Sequence, residues 1–244
     1  KIITIKQVMN IKPLSSMNEA VHYLEHMSIN PSSNTFCFLH RWRITDGGIY
    51  ARFYVADTDG ENIKLVLDSG RMSHFSWKNN DEIIAYGGLP TSLNKLRKNK
   101  NIANFFIKPL LPLYHMLVKD TSKLSKRITG DGYLILNIKE NSIRKVALEI
   151  SNKDGHPSFS LSDESTFITD TYPLKDNNNT AELIAYDLQR KKYFILDQLR
   201  SINKYDFSPI RCDLHPRWSI DGNFICVDTM DQGCRSTYVY KILK

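Results

Sequence analysis

The stretch RCDLHPRWSIDG, Arg211–Gly222, decides how the chain is read, because its middle recurs. GHPSFSLSD (Gly155–Asp163) and SHFSWKNND (Ser73–Asp81) repeat the pattern, and HMSINPSSN (His26–Asn34) is a looser copy. Each copy reads His, two residues, then a large apolar residue: His26/Ile29, His74/Trp77, His156/Phe159, His215/Trp218. Four of the seven histidines hold this register. Self-similarity of this kind governs the fold and is settled before local structure.

Working outward, each His-x-x-Φ is followed by a short turn and a run rich in β-branched and aromatic residues. These runs are TFCFLHRW, EIIAYGG, STFITDTY and NFICVDT. A third run follows in every copy (IYARFYVAD, GYLILNI, AELIAYDL, STYVYKI), and a fourth in the first three (IKLVLD, SIRKVAL, KYFILD). Such runs, bounded by Gly, Asn, Asp and Ser, read as strands, and the Asp-Gly pairs in DTDGEN and SIDGNF suit tight hairpins. Four strands in about 40–50 residues is the period of a propeller blade. The expected fold is therefore all-β, a β-propeller of four-stranded antiparallel blades. The copies fall near 28–70, 74–150, 156–200 and 215–243, so four to five blades are in view.

The chain is read as one propeller domain over 1–244, lacking N-terminal blades of a parent with six or seven. A basic, partly apolar insertion at about 89–127 interrupts the second copy. SSMNEAVHYLEHM has helical spacing after a Ser cap and predicts a short helix. KIITIKQVMNI reads as a strand left from an earlier blade.

Length and composition allow a proper core: 244 residues, 41% hydrophobic and 24% charged. The net charge of +7 favours acidic partners. The aromatics alternate as core residues and build no stacking platform, which argues against nucleic acid. P-loop, Rossmann and serine-hydrolase signatures are absent. The four cysteines lack C-x-x-C spacing and read as reduced thiols. Residues 1–30 lack a signal peptide pattern, which places the chain in the cytoplasm by default and leaves secretion open, since the chain begins at Lys rather than Met. The most apolar run, IANFFIKPLLPLYHMLV, is broken by Lys108, Pro109, Pro112 and His115 and does not span a membrane.

In a blade, residues just before the first strand and just after the second emerge on one face. That groups His26, His74, His156 and His215 with His40, Arg41, Arg43, Tyr86, Asp170, Tyr172 and Asp228. Neutral imidazole ligates divalent metals, and protonated imidazole binds carboxylates. Each histidine also fits a second role, hydrogen bonding to a neighbouring loop. Asp170 and Asp228 are repeat-equivalent, so they read as turn anchors more than as a hydrolytic carboxylate pair. Cys212 and His215 form a C-x-x-H half-site that Cys226 or Cys234 would complete for structural zinc.

HPSFSLSD and HPRWSIDG resemble the H-P-x-[FW]-S-x-D-G repeats of TolB-like and WD40-like propellers. The wider set, from HMSINP through FLHRWR, VADTDGENIKLVLDSGRMSHFSW, DGHPSFS and TDTYP to RCDLHPRW, is similar to the oligogalacturonate lyase-like propellers of bacteria. That resemblance implies β-elimination of an acidic oligosaccharide or polysaccharide, with a manganese-like divalent ion on histidines at inner-strand starts. It implies His74, His156 and His215 as metal ligands. His26, Arg43 and Tyr172 become catalytic candidates, with His74 an alternative base. His40, Arg41, Arg211 and Arg217 become contacts to the acidic substrate. The ligand set of that family includes a glutamine beside closely spaced histidines, which this sequence lacks. The alternative function is a non-catalytic propeller binding an anionic glycan, or a protein partner through the 89–127 insertion.

Overall fold

A computed structural model describes residues 2–43, 48–89, 130–173, 179–201 and 212–243. The architecture is all-β, with four antiparallel sheets following one another along the chain. The first contains β1 (Val21–Ile29), β2 (Thr35–Arg43), β3 (Ile49–Asp57) and β4 (Lys64–Gly70), in that order. The second contains β5 (Met72–Trp77), β6 (Glu82–Gly87), β7 (Gly132–Asn137) and β8 (Ser142–Val146). The third contains β9 (Ser158–Ser160), β10 (Asp163–Asp170), β11 (Thr180–Asp187) and β12 (Lys192–Arg200). The fourth has three strands, β13 (Arg217–Trp218), β14 (Phe224–Thr229) and β15 (Ser236–Lys241). The strands read from the repeat are present among the described residues, and the last sheet has three strands where the last copy shows three runs.

By their internal contacts the residues group into two compact units, Lys1–Ser73 with Gly87–Asp131, and His74–Tyr86 with Gly132–Lys244. In the first unit, two sequence expectations are corrected. Residues 2–11 carry no strand; a helix, α1 (Ile5–Asn10), stands there with a capping box. Thr4 Oγ1 accepts from the Gln7 N–H at 3.1 Å, and Gln7 Oε1 accepts from the Thr4 N–H at 2.9 Å. The expected helix over 15–27 shrinks to a 3-10 turn at Ser15–Met17, and from Val21 the chain is strand β1. The turn after β1 explains this. Asn30 Oδ1 accepts from the N–H groups of Asn34 (3.0 Å) and Thr35 (3.1 Å), closing a hairpin that pairs β1 with β2 from Val21↔Arg43 to Ile29↔Phe36. Pairing along a whole strand outweighs a helical spacing of a few apolar residues.

Val8 of α1 packs with Phe38, Tyr54 and Ala56 of this sheet. Arg52, fully buried in β3, ties the helix end to the sheet. Its Nε donates to Asp68 Oδ1 at 2.8 Å, and its Nη1 donates to the carbonyls of Ile11 and Lys12 at 3.1 and 2.9 Å. A buried guanidinium needs that many acceptors.

The second unit is blade packed on blade. One core joins Ile84, Tyr133 and Ile135 to Phe159, Phe167 and Ile184. Another joins Ile168, Leu183 and Leu199 to Leu214, Ile225 and Val227. Phe159 and Trp218 of the repeat motif sit in these seams. Trp77 and Phe159 are buried, and Trp218 donates its indole N–H to the Ser158 carbonyl at 3.3 Å. In the third and fourth sheets the motif thus fixes where a blade meets its predecessor, and the preceding histidine follows from that placement. The insertion expected at 89–127 lies, beyond Leu89, outside the described residues. No helix among the described residues is long and apolar enough to cross a membrane.

Candidate metal centre

Three of the four register histidines, His74, His156 and His215, belong to the second unit, and there they converge. The His74 and His156 ring centroids are 4.0 Å apart, and those of His156 and His215 are 3.9 Å apart. His74 lies on β5, His156 precedes β9 and His215 precedes β13.

Asp170, at the end of β10 and 1% exposed, organises the cluster. Its Oδ1 accepts from the His156 N–H at 2.6 Å, and its Oδ2 accepts from the His215 N–H at 3.1 Å. The His156 ring meets the same carboxylate, with Nδ1 at 2.9 and 3.0 Å from its two oxygens. One carboxylate therefore pins two histidines from successive blades. Gly155 makes the approach possible: a Cβ there would stand 1.9 Å from the Asp170 carbonyl oxygen. His215 adopts a left-handed φ of 43°, and its Nδ1 lies 3.2 Å from the Asp213 carbonyl oxygen.

These hydrogen bonds set the tautomers. A carboxylate and a carbonyl can only accept, so Nδ1 of His156 and of His215 carries the proton. In the neutral rings, Nε2 is left with its lone pair. Imidazoles held through Nδ1–H by an oxygen acceptor are the usual form of metal ligand. The buried Asp213 carboxylate completes the donor set. One ligand atom from each of His156, Asp213 and His215 lies within 4.8 Å of the others. Two imidazoles and a carboxylate suit a divalent first-row ion. Burial pulls the His215 pKa below its ordinary value, and the neighbouring His156 pulls it further; Asp170 and Asp213 oppose this. The net effect favours the neutral, ligating ring.

Tyr172, just past β10, places its hydroxyl 2.7 Å from His74 Nε2. A phenol on an imidazole beside a metal-type donor set is equipped for proton transfer.

The other sequence candidates fall elsewhere. Arg217 is exposed on β13 and reaches Asp228 at 3.4 Å. His26, His40, Arg41 and Arg43 belong to the first unit. His26 sits at a bulge in β1 with φ 54°, exposed, 3.2 Å from Glu25. Arg41 pairs with Glu25 at 2.7 Å and donates to the Met72 carbonyl at 3.3 Å. Arg43 is exposed at the end of β2. His40 is a correction: it is fully buried among aromatic rings, so it offers no surface to a substrate. Arg211 lies outside the described residues. The zinc half-site is also corrected. Cys212 is buried with its carbonyl accepting from Ser201 Oγ at 2.6 Å, and among the described residues no cysteine joins a metal-holding group.

One contributor, Asp213, lies outside the sequence reading, and a second, Asp170, has a larger role than the sequence suggests. The D-x-H spacing of Asp213 to His215 is a better ligand signal than the C-x-x-H of Cys212. The repeat marks Asp170 as a turn anchor, and the groups it anchors are the two histidines.

No family model and no curated protein matches the sequence. Solved structures do match. An oligogalacturonate lyase in complex with manganese superposes with a TM-score of 0.59 at 14% identity, over 91% of this chain and 49% of that one. An oligogalacturonate lyase from Vibrio parahaemolyticus gives 0.53 at 12%, over 91% and 50%. TolB from Acinetobacter baumannii gives 0.50 at 12%, over 91% and 54%. The chain spans about half the length of these proteins. At such identities the likeness establishes the β-propeller fold, and fold alone does not carry activity.

Proposed function

We propose that His156, His215 and Asp213 hold a divalent ion, and that the protein is a lyase cleaving uronate-containing oligosaccharides by β-elimination. The observation that carries this reading is the juxtaposition of the metal-type donor set with the His74–Tyr172 pair. The manganese in the oligogalacturonate lyase that shares this fold supports the choice of ion and substrate class.

Elimination removes the proton α to the uronate carboxylate and expels the glycosidic oxygen at the β carbon. Held by His156, His215 and Asp213, a divalent ion would supply positive charge beside the uronate carboxylate and make the α-proton more acidic. His74 takes that proton on Nδ1. The C–H electron pair forms the new double bond, the C–O bond breaks, and the Tyr172 hydroxyl gives its proton to the departing oxygen. The Nε2–H of protonated His74 then passes its proton to the phenolate through the 2.7 Å hydrogen bond, and loss of the Nδ1 proton to solvent with reprotonation at Nε2 resets the imidazole for the next turnover. Arg211 and Arg217 flank His215 in sequence and supply cationic contacts for further uronates.

The test is ultraviolet detection of the unsaturated product from oligogalacturonate, with manganese present. Tyr172→Phe should lower the rate by about 10²–10⁴-fold while metal still binds. Metal and oligogalacturonate binding without any product would replace this reading with that of a non-catalytic anionic-glycan binder.

A further inference from the structure

His156 stands on a stretch with no ladder of its own, since residues 153–157 belong to no helix or strand. A metal ligand on such a stretch is only as well placed as the groups that hold the backbone around it. Asp170 takes the N–H and the ring of His156 itself. Upstream, two tyrosine hydroxyls of the second sheet hold the chain. Tyr86, on β6, donates to the Ser151 carbonyl at 2.9 Å, and Tyr133, on β7, donates to the Lys153 carbonyl at 3.0 Å. Gly132 lets β7 lie this close, because a Cβ there would stand 3.3 Å from the Ser151 Cβ.

Tyr133 reaches a second segment as well. Its hydroxyl lies 2.8 Å from that of Thr169, and both side chains are fully buried. A carbonyl only accepts, so the single phenolic proton is committed to Lys153, and the phenolic oxygen accepts from the Thr169 hydroxyl. Burial pushes the Tyr133 phenol well above its ordinary pKa, although the Thr169 hydrogen bond opposes this, so the donor keeps its proton. Thr169 directly precedes Asp170, and Lys153 lies three residues before His156. The two hydrogen bonds of Tyr133 therefore join the same two segments that the Asp170–His156 bonds join. The ring serves the core, packing edge-on to Tyr86 with centroids 5.2 Å apart, and a Phe would do that equally well. The hydroxyl serves the loop.

We propose that Tyr133 is a positioning residue of the metal centre, fixing the His156 loop against the end of β10 through its bonds to the Lys153 carbonyl and the Thr169 hydroxyl. The inference rests on the reading of His156 as a metal ligand. Fully buried, Tyr133 acts on an ion only through the backbone from Lys153 to His156.

Manganese titrated calorimetrically into the whole chain and its variants tests this. Tyr133→Phe keeps the ring and should weaken manganese binding by about 10–100-fold, with circular dichroism unchanged. Thr169→Val leaves the Tyr133–Lys153 bond in place and should weaken binding by roughly fivefold, the worth of one neutral hydrogen bond. The double variant should bind no worse than Tyr133→Phe alone, because both changes act through one phenol. Ile225→Val, in the other core of this unit, should lower the melting temperature and leave manganese affinity as in the wild type. Wild-type affinity in Tyr133→Phe, or an equal loss in Ile225→Val, would overturn the positioning role and leave the metal centre standing. No binding to the wild type would overturn the metal centre, and the positioning role with it.

Discussion

Two groups of histidines stand in the two units, and their difference separates a candidate site from a core. In the first unit, His22 and His40 stack with ring centroids 5.2 Å apart, and Trp42 and Tyr54 flank His40. Their hydrogen bonds run in one direction. His22 Nε2 donates to the Met17 carbonyl at 2.8 Å, so His22 Nδ1 accepts from His40 Nε2 at 2.9 Å. His40 Nδ1 is buried with no hydrogen-bond partner among the described residues. Desolvation, then His22 and Arg52, lower the His40 pKa to about 4. In the second unit, the rings are closer still, but Asp170 and Asp213 stand among them. Imidazoles packed without carboxylates become neutral filler. Imidazoles oriented by carboxylates keep a lone pair aimed where a cation can use it.

The sharpest way to break this contrast is to remove the organising carboxylate. Asp170→Ala strands the buried N–H donors of His156 and His215, and should cost about 3–5 kcal/mol in urea denaturation. Metal affinity should fall with it, by about 10–100-fold. A loss below about 1 kcal/mol would mean that Asp170 does not organise the cluster.

His40 gives the next largest effect, and it appears with pH. The folded state keeps His40 neutral down to about pH 4, whereas the unfolded chain protonates it near 6.5. Between those values the unfolded state binds the extra proton, so stability falls as the pH drops through this window and the loss saturates below it. The decline should reach about 3 kcal/mol at most. In His40→Phe the stability curve should be flatter over the same window. Equal slopes in both proteins would remove His40 as the cause.

Gly155→Ala should cost about 1–3 kcal/mol through the collision with the Asp170 carbonyl, and should displace His156. Smallest of all, Tyr172→Phe should change stability by about 1 kcal/mol or less, since the residue is only half-buried. Melting curves of the two variants, run side by side, check both.

The blades were legible because their signal is repeated: alternation, turn residues and His-x-x-Φ agree in each copy, and any error in one is corrected by the others. The ends of the first blade were not. There Thr4–Gln7 capped a short helix that apolar residues had suggested as strand, and a hairpin closed by Asn30 overrode helical spacing in β1. Local pattern loses to pairing partners that lie far along the chain. The site was half legible for the same reason. Register placed His74, His156 and His215 on one end of their blades, and Tyr172 with them. Register could not separate His40, whose burial depends on Trp42, Tyr54 and the α1 side of its sheet, and it carried no information on Asp213, which belongs to only one copy.

Calorimetric titration of manganese and zinc into the wild-type protein, His156→Ala and His40→Phe tests the central claim most directly. The wild type and His40→Phe should bind a divalent ion alike, and His156→Ala should lose that binding. Unchanged binding in His156→Ala, or no binding to any of the three, would contradict a metal centre at His156, Asp213 and His215.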